Sequence, residues 1–149
     1  MSGTAVAIAD TGALLAYYKG DEGDHEACRK ALATIGHLVV PPMVLAELDY
    51  LVTSYLGSKA AVSVLGHIAD KVAIGRFEVP EVGTHLHAAR AVMQSYLDLA
   101  IGLTDAMNVV LARDFRTDAL FTIDRRHFRA VQPLTSHGAF RLLPDDLTE

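Results

Sequence analysis

Four acidic residues stand, far apart in the sequence, at positions where a carboxylate suits the binding of a metal ion. Asp10 directly follows an apolar run, Asp124 follows a second such run, and Asp105 opens a helical segment. Glu47 interrupts the apolar segment Met43 to Leu48, where an unpaired carboxylate would be costly to bury. Carboxylates gathered in one cleft repel one another, and Mg²⁺ or Mn²⁺, which prefer oxygen ligands, relieve that repulsion. If the fold brings these acids together, the sequence predicts a site for a hard divalent ion.

Each of these acids also has an ordinary structural explanation. Asp10 and Asp105 stand where helices begin, and Asp is a preferred residue at such ends. Glu47 could lie on a solvated helix face, and Asp124 could be a turn residue. The sequence leaves these alternatives open, because periodicity does not prove that the acids converge.

The elements that must position these residues follow an alternating pattern. Short β-rich runs alternate with longer helical patterns, which is typical of βαβ units around a mostly parallel sheet. The predicted strands are Val6 to Ala9, Leu38 to Val40, Phe77 to Val79, Ala119 to Thr122 and, as a candidate edge strand, Phe140 to Leu143. The predicted helices are Thr11 to Tyr18, Asp24 to Ala33, Met43 to Leu56, Ser58 to about Val72, Thr84 to Ser95 and Thr104 to Phe115. In such sheets ligands bind outside the carboxyl ends of the strands, where Asp10 and Asp124 stand.

Length and composition limit the class of protein. The 149 residues predict one domain spanning residues 1–149. A single cysteine, Cys28, excludes an intramolecular disulfide and a multi-cysteine zinc site. The sequence contains neither a basic-flanked apolar signal segment nor an apolar run long enough for a membrane span. We therefore expect a soluble cytoplasmic protein with no membrane partner.

The distribution of charge points to one local basic segment. The net charge is -5, which excludes a polycationic nucleic-acid coat protein. Residues 113–141 nevertheless carry six arginines and three aspartates. Arg125, Arg126 and Arg129 lie just past Asp124 and are predicted to contact phosphates, the alternative being a solvated loop.

The order and spacing of several short motifs resemble a known family. The motifs are Asp10-Thr11-Gly12 after the first strand, Glu47 in the third helix, Gly102 to Ala106, and Thr122-Ile123-Asp124 before Arg125-Arg126-His127-Phe128. Together they resemble a PIN domain, and more narrowly the VapC toxin ribonucleases of bacterial type II toxin–antitoxin pairs. The resemblance implies a three-layer α/β/α domain with a mostly parallel central sheet.

The resemblance also implies roles for individual residues. Asp10, Glu47, Asp105 and Asp124 match the catalytic acids that hold Mg²⁺ or Mn²⁺ in such nucleases, and Thr11 and Thr122 match supporting hydroxyl residues. The chain departs from the pattern at His127, where relatives often carry another acid, and His127 is not among the predicted metal ligands.

Asn108 lies one helical turn after Asp105. At that spacing it would face the same cleft and could bind a metal-bound water. The alternative is an exposed amide.

We therefore expect a toxin endoribonuclease that hydrolyses RNA phosphodiester bonds through a metal-activated water. Its expected partners are an RNA substrate, a VapB-like antitoxin that inhibits it, and a second copy in a homodimer. The apolar helices from Met43 to Val72 are the candidate antitoxin groove, with core packing as the competing use. Two other functions stay open: a Mg²⁺-dependent phosphoryl-transfer domain of the receiver or phosphatase type, and a non-catalytic PIN-like binding module.

Overall fold

The computed structural model describes residues 3–147 and alternates strands with helices along the chain. Within these residues the strands are β1 (Thr4–Ala9), β2 (Ile35–Val39), β3 (Phe77–Glu78), β4 (Ala119–Phe121) and β5 (Arg141–Leu143). The helices are α1 (Thr11–Tyr18), α2 (His25–Ala33), α3 (Pro42–Leu56), α4 (Ser58–Ala73), α5 (Leu86–Ser95), α6 (Leu103–Asp114) and α7 (Arg125–Ala130). Short 3₁₀ turns at Gly83–His85 and Leu97–Leu99 precede and follow α5. Every predicted strand is present, and every predicted helix is present to within about three residues at its ends.

The five strands form one sheet in the order β3-β2-β1-β4-β5, and all the pairings are parallel. Ile8 of β1 pairs with Val39 of β2 on one side and with Leu120 of β4 on the other. The chain thus builds outward from β1 in one direction through β3, and later in the other direction through β5. A crevice opens where the strand order reverses, at the carboxyl ends of β1 and β4.

Helices cover both faces of the sheet. Ala7 and Ala9 of β1 pack into a core with residues of α1 to α4, whereas Ile8 packs into a second core with residues of α5, α6 and α7. Successive side chains of a strand point to opposite faces, so a strand buried on both faces is apolar throughout. This arrangement confirms the predicted three-layer α/β/α fold class.

Helix α7 was absent from the predicted elements, and the prediction was wrong there. Asp124 stands at its N-cap and accepts a hydrogen bond from the backbone N–H of His127 at 3.2 Å. Phe128 is buried and packs edge-on against Phe140, with ring centroids 6.3 Å apart. A helix of six residues with one apolar anchor has too few turns to show a periodicity in the sequence. Arg125, Arg126 and Arg129 therefore lie on a helix and not in a solvated loop.

No helix within residues 3–147 combines the length and the apolar character that crossing a bilayer requires.

Candidate active site

A cleft of about 350 Å³ lies at the carboxyl ends of β1 and β4. Its walls include the four predicted acids, Asp10, Glu47, Asp105 and Asp124, together with Thr11 and Thr104. Asp10 follows β1 directly, Asp124 lies three residues after β4, Asp105 lies in the first turn of α6, and Glu47 comes from α3. The structure therefore brings all four predicted carboxylates to one place.

Asp10 is the most deeply placed of these acids, with 8% of its surface exposed. The Thr122 hydroxyl donates a hydrogen bond to Asp10 Oδ2 at 2.8 Å. Burial raises the pKa of Asp10 from 3.8 to about 6; the negative charges of Asp105 and Asp124 act in the same direction, and the Thr122 hydrogen bond opposes them. Asp10 occupies the N-cap position of α1, but its side chain makes no capping hydrogen bond there. Helix capping therefore does not explain this carboxylate.

Glu47 is solvent-exposed, yet both of its carboxylate oxygens are held. Thr11 Oγ1 donates to Glu47 Oε1 at 2.6 Å, and Thr104 Oγ1 donates to Oε2 at 2.8 Å. These two threonines belong to α1 and α6, which lie on opposite faces of the sheet. Glu47 thus joins the two helical layers at the rim of the cleft. Thr104 was not among the predicted site residues, because only the folded chain shows what its hydroxyl contacts.

Asp105, Asp124 and His127 form a compact group whose ligand atoms all lie within 4.8 Å of one another. His127 Nδ1 is 2.9 Å from Asp105 Oδ2 and 3.1 Å from Asp124 Oδ2. Burial raises the pKa of Asp105 and the charge of Asp124 adds to this effect, whereas His127 opposes it. His127 was not among the predicted site residues. Its position three residues after Asp124 would have indicated it, had α7 been predicted.

Two buried polar atoms in this region have no hydrogen-bond partner among the described residues, namely Asn108 Oδ1 and His127 Nδ1. The two carboxylates close to His127 Nδ1 lie at distances typical of hydrogen bonds, but not in the directions that an N–H donor requires. Asn108 is fully buried, and its Nδ2 approaches the carbonyl oxygen of Ala9 at 3.4 Å. The exposed-amide alternative for Asn108 is therefore wrong.

Thr122 connects two of the acids. Its hydroxyl donates to Asp10 and accepts a hydrogen bond from the backbone N–H of Asp124 at 2.9 Å. A single buried side chain therefore fixes both the carboxylate that follows β1 and the backbone that carries the acid after β4.

The donor set of the cleft fits a divalent cation. Carboxylate oxygens are the ligands that Mg²⁺ and Mn²⁺ prefer, and the four acids provide them from four separate elements. Buried polar atoms without partners are rare in proteins, and an ion or its bound water offers a partner to such atoms. The raised pKa values of Asp10 and Asp105 show the repulsion and desolvation that a cation would offset.

The three arginines predicted to contact phosphates differ in their surroundings. Arg125 is hydrogen-bonded to both carboxylate oxygens of Asp145, and Arg129 forms a two-pronged pair with Asp146, with both distances 2.7 Å. Arg126 is exposed and forms no ion pair within residues 3–147. Two of the three guanidinium groups are thus already engaged by the C-terminal turn.

Sequence comparison connects this geometry to a family. A family model described as PIN domain matches residues 7–132. The chain is 41% identical over 139 residues to ribonuclease VapC26 of Mycobacterium tuberculosis, a match covering 92% of this chain and 99% of that protein. The chain belongs to the VapC family of PIN domains. These two matches confirm the resemblance to VapC-type PIN domains that the sequence motifs indicated.

Solved structures share the fold of this PIN domain. Mycobacterium tuberculosis VapC20, described as a sarcin-ricin loop cleaving toxin, aligns with a TM-score of 0.70 at 15% identity, covering 82% of this chain and 92% of that one. VapBC2 from Rickettsia felis, bound to a DNA fragment from its promoter, aligns with a TM-score of 0.64 at 14% identity, covering 92% and 98%. A toxin–antitoxin complex from Klebsiella pneumoniae aligns with a TM-score of 0.60 at 18% identity, covering 87% and 98%.

Proposed function

We propose that this protein is an endoribonuclease that hydrolyses RNA phosphodiester bonds with Mg²⁺ or Mn²⁺, and that it acts in the cytoplasm as the toxin of a type II toxin–antitoxin pair. The observation that carries the proposal is the convergence of Asp10, Glu47, Asp105 and Asp124 in one cleft. The relative VapC26 is named a ribonuclease, and the structural neighbour VapC20 is described as a sarcin-ricin loop cleaving toxin. No observation favours the phosphoryl-transfer alternative in a chain of this family.

Each residue of the cleft has its own proposed role in hydrolysis. A divalent ion, when bound, lowers the pKa of its water and neutralises charge on the phosphate in the in-line transition state. Asp10, Glu47, Asp105 and Asp124 would hold that ion, and one of these carboxylates would accept the proton of the attacking water. Thr122 keeps Asp10 in place, while Thr11 and Thr104 keep Glu47 at the rim. Because water and not the ribose 2′-hydroxyl attacks, the products carry a 5′-phosphate and a 3′-hydroxyl.

The function is tested by sequencing RNA ends after incubation with the purified protein. With Mg²⁺ or Mn²⁺ we expect new ends that carry a 5′-phosphate and that ligate directly to an adaptor. With EDTA in place of the metal, these ends should be absent, because the carboxylates alone provide no activated water. Cleavage that persists in EDTA, or products with a 5′-hydroxyl, would contradict the proposal. Loss of all cleavage with intact RNA binding would favour the non-catalytic binding module.

Arg126 is the arginine best placed to contact RNA phosphate. It lies two residues after Asp124 on the exposed side of α7, and no described carboxylate neutralises it. Arg125 and Arg129 would have to exchange Asp145 and Asp146 for phosphates before they could contribute in the same way. We therefore assign the first phosphate contact to Arg126.

Replacing Arg126 with Ala should weaken the binding of single-stranded RNA and flatten its dependence on salt. One lost phosphate contact on a single strand changes the slope of log K against log salt concentration by about 0.7. Binding is measured by fluorescence anisotropy over a salt series in an Asp105→Asn background, so that the RNA stays intact. The matched control is Arg90→Ala, an exposed arginine on α5. Equal slopes for the two variants would show that Arg126 makes no such contact.

An antitoxin helix is the proposed occupant of an apolar groove between α3 and α4, here called the α3–α4 groove. Leu45, Val52, Val64 and Leu65 contribute to its lining, and its volume is about 350 Å³. An amphipathic helix buries its apolar face in a groove of this kind. Two of the structural neighbours are toxin–antitoxin assemblies by their descriptions, which supports a VapB-like partner that inhibits the enzyme.

A homodimer is also proposed, on the evidence of exposed apolar side chains away from that groove. Leu86, Leu97 and Leu103 are exposed along α5 and its connection to α6. If these leucines form one contiguous apolar patch, that patch would suit an interface with a second copy of the chain.

A further inference from the structure

We propose that His127 is a direct metal ligand, through Nδ1, and that its nitrogen makes the cleft favour Mn²⁺ over Mg²⁺. The inference rests on the proposed metal site and adds to it a residue outside the four acids. Among the described residues, Asp105, Asp124 and His127 are the group whose ligand atoms already lie within 4.8 Å of one another, before any side chain moves toward an ion.

The distances in this group match those between neighbouring ligands of one ion. In an octahedral site with bonds of about 2.1 Å, adjacent ligand atoms lie about 3 Å apart. His127 Nδ1 lies 2.9 Å from Asp105 Oδ2 and 3.1 Å from Asp124 Oδ2. His127 Nδ1 is thus already spaced from each of the two carboxylate oxygens as neighbouring ligands of one ion are.

The hydrogen bonding around His127 leaves this nitrogen free for an ion. Nδ1 is buried and has no hydrogen-bond partner among residues 3–147, although two carboxylate oxygens are close to it. Asp124 uses Oδ1 to accept the backbone N–H of His127, so its Oδ2 remains for the ion. The neighbouring Phe128 is packed in the core and fixes the first turn of α7. The backbone that carries the imidazole is therefore fixed before any ion binds.

A second buried atom without a partner lies on the helix that carries Asp105. Asn108 lies three residues after Asp105 on α6, so both side chains share one face of that helix. Its Oδ1 is buried without a partner, and its Nδ2 approaches the carbonyl of Ala9, the residue before Asp10. An ion-bound water between these elements would satisfy this oxygen.

A nitrogen ligand changes which ion the cleft prefers. Mg²⁺ takes oxygen ligands and keeps several waters, whereas first-row transition ions accept imidazole. Carboxylate and histidine ligands together are found in di-manganese sites of helical proteins. With His127 in the shell, Mn²⁺ should bind more tightly than Mg²⁺. An acid at this position would remove that preference.

The experiment is electron spin echo envelope modulation of Mn²⁺ bound to the metal-free full-length protein, without RNA. Wild-type protein should show modulation from a directly bound ¹⁴N, and this measurement alone decides whether an imidazole is a ligand. The variant His127→Asp should still bind Mn²⁺, lose the ¹⁴N modulation, and reduce the ratio of Mn²⁺ to Mg²⁺ affinity by about tenfold. The control variant His137→Asn changes an exposed histidine before β5 and should leave the signal unchanged.

Two results would overturn the inference. Bound Mn²⁺ without ¹⁴N modulation in the wild type would reduce His127 to a counter-ion of the carboxylates. Modulation that survives in His127→Asp would assign the nitrogen to another residue. The proposed function is tested separately, by the RNA cleavage assay. A ¹⁴N signal without metal-dependent cleavage would overturn the ribonuclease proposal and leave the ligand assignment in place.

Discussion

Replacing Asp105 with Asn is expected to reduce metal-dependent RNA cleavage by on the order of 10³-fold, because it removes the negative charge of one of the proposed ligands of the ion. Asp105 lies in the first turn of α6 and contacts His127 across the cleft. The substitution keeps the shape of the side chain and removes its charge. The rate is measured under single-turnover conditions with Mn²⁺ in excess, on an RNA that the wild type cuts.

The matched control for this experiment is Asp114→Asn, at the other end of the same helix. Asp114 is half exposed and its Oδ2 lies 3.6 Å from His85 Nε2, far along α6 from the cleft. Its replacement should leave cleavage unchanged. Circular dichroism and thermal unfolding should show that both variants keep the wild-type fold. Full cleavage by a folded Asp105→Asn protein would end the proposed mechanism.

Replacing Asp10 with Asn should stabilise the metal-free protein at neutral pH while abolishing its activity. Burial and the neighbouring carboxylates raise the pKa of Asp10 from 3.8 to about 6, so the folded protein holds this proton more tightly than the unfolded chain. Between pH 4 and pH 6 the unfolded chain ionises while the folded chain does not, and stability falls as pH rises. Above pH 6 Asp10 is ionised in both states, and its ionisation lowers the free energy of unfolding of the wild type by the full amount, up to about 3 kcal/mol.

The measurement is urea unfolding in EDTA at several pH values. The free-energy difference between Asp10→Asn and the wild type should be largest near pH 7, shrink below pH 6 and close below about pH 3, where Asp10 is protonated in both the folded and the unfolded state. The Thr122 hydroxyl has an oxygen to donate to in either protein. Asp70→Asn, an exposed residue on α4, is the control and should show no such trend. An Asp10→Asn protein that is less stable than the wild type at pH 7 would contradict the conclusion that the ionised Asp10 carboxylate destabilises the metal-free fold.

When the urea unfolding is repeated with Mn²⁺ in place of EDTA, the wild type should become more stable than Asp10→Asn. Binding to the folded state alone stabilises a protein in proportion to the logarithm of the ligand concentration over its dissociation constant. The wild type should gain this stabilisation, and Asp10→Asn should gain little.

The layers of the fold follow from local patterns in the sequence. The apolar run at β1 and the repeated apolar spacing of α3 each reflect a single element and its burial, so they are visible without knowledge of the rest of the chain. The same is true of the position of Asp10 and Asp124 after two strands. That β1 and β4 are neighbours is a property of the topology, which the local pattern does not contain.

What the sequence did not predict depends on contacts between distant residues. Thr104 and Glu47 are 57 positions apart, and their hydrogen bond exists only after α3 and α6 have packed. His127 was left out of the predicted ligands because relatives often carry an acid at its position, and α7, which places it beside Asp105, is too short to be recognised by periodicity. The engagement of Arg129 by Asp146 depends on the C-terminal turn, which returns next to α7 after β5. In each case the residue type was visible and its partner was not.

Helix α3 gives the two proposed binding regions a common wall. Ala46 lines the α3–α4 groove, and Glu47, the next residue, lines the cleft. Thermodynamic linkage makes any communication through this turn symmetrical: a bound ion must alter the affinity for the antitoxin by the same factor as the antitoxin alters the affinity for the ion. The concentration of metal ion in the cell would then affect the ratio of antitoxin-bound to free protein.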